Sequence, residues 1–462
     1  MSRHSTLRKC LAGIMLLLLP CLAYGQYSQR GRRMDDLFKE KPVDTFGFRI
    51  DQWKAPKVDE QKAREVGIRK LQSKHLTLYT DLPSSSEVDA LPQIFDDALP
   101  QWCEFLGIPQ DKSKEVHLVG AIMKQRRPFE VANIIPANMP PFPNGFAINN
   151  HFWLFEQPSA YYRRHLLLHE GVHSLMNSVL GSCGPPWYME STAEYLGTHR
   201  MGKDGKVVVG TIPKNREEVP MWGRIKMIRD AAQAGNVPTL DEIFRLGPDA
   251  YFNNTNYAWS WAVAMFLDRS PKTRKIYRAL AKHTTDPNFN QRARRMLQRE
   301  WRDLNREWLL MIDSLDYGYD TERTTVDMKP GRLFRDGNTR LTVTADRGWQ
   351  NSGLRLEKGK TYKLSATGRY RIVQGKEGKP DWISEPNGVS IRYFGGRPLG
   401  MVQAAILPTR AGKTFPLFKP VDVGLGTTFT PERSGTLLLR INDSPGELEE
   451  NQGQAFVKIE AS

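Results

Sequence analysis

Two histidines four residues apart carry the clearest chemistry in this sequence. His169 and His173 belong to the pattern His-Glu-x-x-His, in which Glu170 follows the first histidine. Residues four apart lie on one helical face, so both imidazoles can bind one metal ion while the Glu170 carboxylate projects beside it. Three leucines before the motif, and Leu175 and Met176 after it, would bury the rest of the helix and fix the ligands.

The motif alone leaves open an alternative, a buried helix whose two histidines are only hydrogen-bonded. A second predicted helix favours metal binding. It starts after Pro185 and Pro186 and carries Glu190 and Glu194 on one face. Catalytic zinc takes three protein ligands, and His, His, Glu is a standard set. Glu190 is therefore the predicted third ligand, and Glu194 is predicted to accept the ring N–H of a ligating histidine. A solvated helix face is the alternative for both glutamates, and the adjacent aromatic residues argue against it.

His-Glu-x-x-His followed by Trp-x-x-Glu-x-x-Ala-x-Tyr resembles the gluzincin metallopeptidases in the aminopeptidase N style. The resemblance is closest to the secreted bacterial peptidase MA-like proteins, and its strongest part spans residues 166–196. It implies a zinc ion on His169, His173 and Glu190, with Glu170 as the general base.

Two further stretches bear on the resemblance, which covers roughly residues 75–320. Tyr257 matches the position where aminopeptidases place a transition-state-stabilising tyrosine. Aminopeptidases also carry Gly-x-Met-Glu-Asn upstream, where the Glu holds the amino terminus of the substrate, and here Ile148 takes that position. Aminopeptidase specificity is therefore not implied. Residues 146–155 resemble the strand at the edge of the gluzincin cleft, which pairs with an extended substrate, although an ordinary edge strand fits equally well.

Length and composition bound the remaining possibilities. A chain of 462 residues is long enough for two or three domains, and 40% hydrophobic with 25% charged residues is typical of a soluble globular protein. The formal charge of +15 falls to +12 without Arg3, Arg8 and Lys9. This excess is spread along the chain, so we expect mild affinity for anionic polymers or envelope surfaces and no nucleic-acid partner.

Residues 1–25 have the pattern of a secretory signal peptide, with a basic start, an apolar run and the small-x-small site at residues 23–25. The apolar run is shorter than the ~20 residues that span a bilayer, and no second run exists, so no transmembrane segment is expected after signal removal. The protein is thus expected to be secreted or periplasmic, at the cell envelope. Its two remaining cysteines, Cys103 and Cys183, fit a disulfide or two buried free thiols.

The order of patterns predicts the domains. Residues 26–74 are polar and indicate an exposed arm or linker, and residues 75–322 would form the metallopeptidase domain. The patterns within that domain predict strands at 75–80, 116–119, 150–155 and 206–210, and helices at 88–106, 239–246, 257–268, 273–283 and 289–315.

Residues 333–462 change to short strands separated by turns, which predicts an all-β sandwich that folds alone beyond a linker at 329–331. The stretches 348–350, 359–362 and 441–451 resemble the bacterial galactophilic lectin-type, galactose-binding-like sandwich. In those lectins an Asn-Asp loop binds a calcium ion that touches the sugar. The corresponding oxygen donors here are Asp443, Glu447, Glu450 and Asn451. The sugar-contacting His and Gln have no match, so an accessory module is the alternative.

The sequence thus predicts a multidomain α+β protein, a gluzincin-like metallopeptidase domain followed by a β-sandwich. Its expected activity is zinc-dependent peptide hydrolysis, in which Glu170 takes a proton from water and Tyr257 hydrogen-bonds the oxyanion. The alternative is a non-catalytic envelope glycan-binding or scaffold protein that retains a peptidase-like zinc domain. The intact Glu170 argues against it, because a binding domain does not need the base.

Overall fold

The computed structural model describes residues 53–136, 139–335, 337, 339–408 and 415–461, which belong to one compact unit. The predicted signal peptide and residues 26–52 of the predicted arm lie outside these ranges. No helix within them is long and apolar enough to cross a membrane. The fold is mixed α and β, with helices and several sheets, as expected for a multidomain α+β protein.

A five-stranded sheet forms the base of the first half, in the order β1-β2-β3-β5-β4. Its strands are β1 Arg69–Gln72, β2 Leu76–Thr80, β3 Leu118–Met123, β4 Gly145–Ile148 and β5 His151–Phe155. The three central strands are parallel, and both edge strands are antiparallel to their neighbours. The sheet begins before the predicted domain start at residue 75. The polar strand β1 is held by its backbone ladder with β2, so apolar alternation did not reveal it.

The strand predicted at 150–155 is confirmed as β5. Residues 146–155, which resemble one cleft-edge strand, instead span the two strands of a hairpin. β4 and β5 pair with Phe146 opposite Trp153 and Ile148 opposite His151. Asn149 reverses the chain with φ 48°, a left-handed conformation that asparagine adopts more readily than most residues. The edge of the sheet is therefore β4, and β5 lies inside it.

Fourteen α-helices lie within the described ranges. They are α1 Glu60–Glu65, α2 Ser86–Asp89, α3 Leu91–Leu106, α4 Gln110–Glu115, α5 Arg126–Val131, α6 Ala160–Leu175, α7 Pro186–Gly197, α8 Arg224–Gln233, α9 Leu240–Ile243, α10 Asn254–Arg269, α11 Arg274–Ala279, α12 Phe289–Met296, α13 Trp301–Ser314 and α14 Thr321–Thr324. A short hairpin of β6 His199–Met201 and β7 Val207–Val209 follows α7. The predicted helix 289–315 is two helices, α12 and α13.

One hydrophobic core joins the sheet to α3, α6, α7 and α10. Gly171 permits the close approach of α3 to α6, because a Cβ at this position would lie 2.7 Å from the Phe95 ring and 3.1 Å from Trp102. Cys103 and Cys183 are both buried free thiols, so the second of the two alternatives left by the sequence is the one observed. The Cys183 thiol donates to Asn177 Oδ1 at 3.2 Å.

Two six-stranded sheets make up the C-terminal part. The strands are β8 Arg332–Leu333, β9 Thr339–Thr344, β10 Gln350–Leu356, β11 Tyr362–Thr367, β12 Tyr370–Val373, β13 Trp382–Ser384, β14 Asn387–Phe394, β15 Arg397–Pro408, β16 Val421–Asp422, β17 Gly426–Phe429, β18 Gly435–Ile441 and β19 Gln452–Ala461. One sheet has the order β14-β15-β18-β10-β8 with β16 on β15, and the other has β13-β12-β19-β11-β17 with β9 on β19. Side chains of both sheets form a second hydrophobic core.

The first sheet of the C-terminal part also packs against the helices. Trp349, Leu407, Phe418 and Leu438 belong to the first hydrophobic core rather than the second. Backbone hydrogen bonds add to this contact, among them Asp320 N to the Pro445 carbonyl at 3.1 Å. Independent folding of residues 333–462 remains a prediction, and separation from the helices would expose these apolar side chains to water.

Candidate metal centre

His169, His173 and Glu190 bring three ligand atoms together in the buried interior. The two Nε2 atoms lie 3.0 Å apart. Glu190 Oε2 is 3.3 Å from Nε2 of His169 and 3.5 Å from Nε2 of His173. Bonds of about 2.0–2.1 Å to a tetrahedral zinc ion place neighbouring ligand atoms about 3.3–3.5 Å apart. The observed separations therefore fit one zinc ion.

The helices α6 and α7 supply these ligands. Ser159 caps α6 by accepting from Tyr162 N at 3.1 Å, and the last turn of α6 widens into a π-helix at Met176–Leu180. Pro186 starts α7, where its missing N–H costs no helical hydrogen bond. Trp187 of α7 stacks on Phe244 with ring centroids 3.9 Å apart. This packing fixes the first turn of α7 just before Glu190.

The hydrogen bonding of the three ligands also suits a metal ion. Within the described part of the chain, Glu190 Oε2 and the Nδ1 atoms of His169 and His173 are buried without a hydrogen-bond partner. Burial would raise the pKa of the Glu190 carboxyl, but the facing histidines outweigh burial and lower it to about 2. A buried carboxylate oxygen that faces two imidazoles is poorly satisfied by the protein alone and well satisfied by zinc.

Glu170 lies next to this group on α6 and is 6% exposed. Burial raises the pKa of its carboxyl to about 8. Gly145, the first residue of β4, lies against this carboxylate, since a Cβ at position 145 would approach Glu170 Cδ to 2.6 Å. The edge strand β4 therefore passes directly beside the predicted base.

Glu194 lies one turn beyond Glu190, with Oε1 3.5 Å from His169 Nδ1. This is the position expected for an acceptor of the His169 N–H when Nε2 binds a metal ion. Arg224 of α8 donates to both carboxylate oxygens, from Nε to Oε2 at 3.0 Å and from Nη2 to Oε1 at 2.9 Å. Burial raises the pKa of Glu194, but Arg224 and then His165 outweigh it and hold that pKa well below its usual range.

Tyr257 lies at the first turn of α10, with its ring centroid 6.2 Å from that of His169. The Arg224 guanidinium carbon lies 5.7 Å from the same ring. Burial, followed by the nearby carboxylates, raises the pKa of the Tyr257 hydroxyl, which keeps it protonated and able to donate. Two other tyrosine hydroxyls are already engaged, that of Tyr251 with Ser260 and that of Tyr195 with Asp268.

The predicted calcium set divides into separate contacts. Asn451 Nδ2 donates to Asp443 Oδ2 at 2.7 Å, and Ser444 N donates to Asp443 Oδ1 at 2.6 Å. Burial raises the pKa of the Asp443 carboxyl to about 6. The Asp443 carboxylate is therefore hydrogen-bonded within the loop, whereas Asn451 Oδ1 is buried without a hydrogen-bond partner in the described structure.

The other two predicted calcium ligands form ion pairs. Arg392 Nη2 donates to both oxygens of Glu447, at 2.7 and 2.6 Å, and Lys376 Nζ donates to Glu450 Oε1 at 2.9 Å. Among described His, Cys, Asp and Glu residues, the groups of three or more that could hold a metal ion both lie on α6 and α7. The four calcium candidates do not converge on one point. Basic side chains neutralise two of them.

Sequence reasoning missed two residues of the centre, Arg224 and Gly145. Arg224 lies 30 positions beyond Glu194 on another helix, and no pattern within the sequence connects them. Gly145 begins the stretch in which Ile148 replaces the aminopeptidase glutamate, and no motif marks it as part of the site. Its closeness to Glu170 depends on strand β4, which the sequence patterns did not predict.

Comparison with known proteins gives weak structural similarities only. No protein-family model and no curated protein match the chain. Among solved structures, the chain is similar to the EclA N-terminal domain, a PllA-like lectin, at 21% identity with a TM-score of 0.20, over 27% of this chain and 95% of that one. It is also similar to the IMPa metallopeptidase in complex with T-antigen, at 10% identity with a TM-score of 0.14, over 83% of this chain. The chain spans 46% of that protein's length.

Proposed function

We propose that this protein is an exported zinc metallopeptidase of the gluzincin type. The observation that carries the proposal is the convergence of His169, His173 and Glu190, whose buried ligand atoms lie 3.0–3.5 Å apart. Glu170 adjoins them on the same helix. A two-His, one-Glu set with an adjacent glutamate is the arrangement of a hydrolytic zinc site.

Each residue then has a role in peptide hydrolysis. Zinc, when bound, lowers the pKa of a water molecule to about 7 and polarises the carbonyl under attack. Glu170, whose ionised form a bound zinc ion would favour against the effect of burial, accepts the proton of that water and delivers it to the leaving amine. The Tyr257 hydroxyl donates a hydrogen bond to the oxyanion that develops at the carbonyl. Glu194 holds the His169 ring by accepting from Nδ1.

The sheet edge beside Glu170 suits an extended peptide. Within the described residues, β4 pairs with β5 and has no second strand partner. A peptide that extended the sheet along this side of β4 would run past the base. Ile148, buried at 2% exposure, offers no charge to a substrate amino terminus. The proposal is therefore limited to peptide hydrolysis and makes no claim for aminopeptidase specificity.

The test combines metal analysis with a peptide library. The chain without residues 1–25 should carry one zinc ion and should cleave members of a proteome-derived library. Glu170→Gln should keep the zinc and lose hydrolysis by about 10²-fold or more, the range for a general base. Glu104→Gln, at an exposed glutamate of α3, is the matched control and should behave as wild type. Absence of zinc from wild type refutes the metal site, and undiminished turnover in Glu170→Gln refutes the base.

A further inference from the structure

Two groups of potential metal ligands share His169. The first is the proposed zinc site, and the second consists of His165, His169 and Glu194, all buried. In the second group His165 Nε2 lies 3.4 Å from Glu194 Oε2, and His169 Nδ1 lies 3.5 Å from Glu194 Oε1. By residue type, each group is a His, His, Glu set suited to zinc. Ligand chemistry alone therefore does not explain why zinc would choose the first group.

Arg224 distinguishes the second group. It is 5% exposed, and its guanidinium binds both oxygens of Glu194 in a two-pronged contact at 2.9 and 3.0 Å. Two parallel hydrogen bonds from guanidinium to carboxylate fix the carboxylate in orientation as well as in charge. Glu194 therefore already has a cationic partner in contact with both of its oxygens.

A metal ion at the second group would have to bind Glu194 within a few ångströms of Arg224. Buried charges are weakly screened, so the repulsion between a divalent ion and this guanidinium is large. The arginine cannot lose its charge at any physiological pH. The same contact leaves Glu194 as an anionic acceptor for the His169 Nδ1–H, which commits His169 Nε2 to the first group.

We propose that Arg224 is a positioning residue that confines the metal ion to His169, His173 and Glu190. Its guanidinium supplies the positive charge that a metal ion would otherwise supply to the second group. The inference rests on the zinc site proposed above. The proposed role of Arg224 also explains why His165 would bind no metal ion. The two ring nitrogens of His165 are buried without a hydrogen-bond partner in the described structure. His165 is a potential ligand that Arg224 keeps unused.

The test is the number of metal ions bound. Arg224→Met keeps approximately the size of the side chain and removes its charge. After equilibration with zinc and desalting, wild type should hold one zinc ion and Arg224→Met should hold two, with His169 bridging them as an imidazolate whose Nδ1 proton is released to solvent. The double variant Arg224→Met with His165→Leu is the matched control and should return to one, because His165 belongs to the second group alone. Cobalt substitution should give a second set of absorption bands in Arg224→Met only.

The outcomes separate this inference from the proposed function. No zinc in wild type refutes the zinc site itself. One ion in both wild type and Arg224→Met, with the same cobalt spectrum, refutes the role of Arg224, as do two ions in the double variant.

Arg224→Lys decides the question if the methionine variant does not fold. Lysine retains the positive charge but not the two-pronged geometry. We expect one zinc ion bound about 10–100-fold more weakly than in wild type, the range for loss of a residue that supports a ligand. Wild-type affinity in Arg224→Lys would overturn the positioning role.

Discussion

Gly145 leaves room for Glu170, because a Cβ at position 145 would lie 2.6 Å from Glu170 Cδ and 2.9 Å from Glu170 Cγ. Such separations are shorter than non-bonded carbon atoms adopt, so any side chain at 145 would displace the carboxylate or the strand. The edge strand β4 and the helix α6 thus meet at a position where only glycine fits. The backbone of β4 limits where the proposed base can lie.

Gly145→Ala should therefore lower kcat without removing zinc. Displacement of a catalytic group by about 1 Å costs up to about 10²-fold in rate, and we expect a loss of 10- to 100-fold. Zinc content should stay at one ion, since the three atoms nearest to a Cβ at position 145 all belong to Glu170, which is not a proposed ligand. Gly247→Ala is the matched control, because a Cβ there would have no heavy atom within 4 Å. Equal kcat in the two variants would contradict the steric role of Gly145.

Glu190 and Glu194 should respond differently to substitution. Glu190→Ala leaves two protein ligands and should lose zinc on desalting, as should His169→Ala and His173→Ala. Glu194→Gln should keep one zinc ion with about 10–100-fold lower affinity, because the amide still reaches His169 but no longer attracts its N–H as an anion. Glutamine is preferable to alanine at 194, since alanine would leave Arg224 buried without an acceptor. Zinc loss in Glu194→Gln with retention in Glu190→Ala would exchange the two roles.

The ligands were predictable because they lie close together in sequence. The four-residue spacing of His169 and His173, and of Glu190 and Glu194, follows directly from helical geometry. Arg224 was not predictable, because an arginine in an amphipathic helix usually reaches solvent. Its burial depends on how α8 packs beside α7. Strand β5 was predictable from its apolar residues, whereas the short strand β4 follows a proline-rich stretch and is revealed only by its pairing with β5 across the turn at Asn149 and Asn150.

The charges of the C-terminal loop show a second limit of sequence reasoning. The resemblance to the lectins implies that the carboxylates of Asp443, Glu447 and Glu450 bind calcium. The sequence does not show which basic side chains lie beside them in the fold. Arg392 is 55 positions from Glu447, and Lys376 is 74 positions from Glu450. Only the pairing of the strands brings these basic residues to the loop.

Tyr257→Phe should retain zinc and lower kcat with little change in KM, because a hydrogen bond to the oxyanion forms only in the transition state. The expected loss is about 10²–10³-fold, the range for removal of one oxyanion donor. Tyr251→Phe is the matched control, because the Tyr251 hydroxyl already contacts Ser260 Oγ at 2.8 Å. A larger loss of kcat in Tyr251→Phe than in Tyr257→Phe would assign the oxyanion contact to Tyr251.

His199 should make the protein less stable in mild acid. Burial, opposed by the hydrogen bond to Gly197 and assisted by the adjacent Arg164, lowers the pKa of His199 to about 3. Its Nδ1 lies 2.9 Å from the Gly197 carbonyl, and Arg164 Nε lies 3.2 Å from its Nε2, which fits the neutral ring. The other groups facing it are the Tyr161 ring and His165.

The lowered pKa determines how stability changes with pH. Below about pH 6.5 the His199 side chain binds a proton in the unfolded chain but stays neutral in the folded chain. The stability contributed by His199 therefore falls as pH falls from 6.5 towards 3. At pH 5 this amounts to about 2 kcal/mol. The free energy of unfolding, measured in urea at pH 7 and at pH 5, should fall between the two pH values by about 2 kcal/mol less in His199→Gln than in wild type. An equal loss in both proteins would show that His199 is protonated in the folded state.

Calcium should not stabilise this protein. Glu447 and Glu450 are already paired with Arg392 and Lys376, and a calcium ion would have to displace both basic groups. Asp443 already accepts hydrogen bonds from Asn451 Nδ2 and Ser444 N.

The measurement is a thermal melt of the zinc-loaded chain in calcium and in magnesium at equal concentration, which avoids chelators that would also remove zinc. A specific site at 100 times its dissociation constant would add about 2.7 kcal/mol, a clear rise in the midpoint. We expect identical midpoints, because Arg392 and Lys376 already pair with two of the loop carboxylates. A rise in calcium that Asp443→Ala abolishes would contradict this expectation and would restore Asp443 as a calcium ligand. A rise that persists in Asp443→Ala would place the ion elsewhere in the molecule.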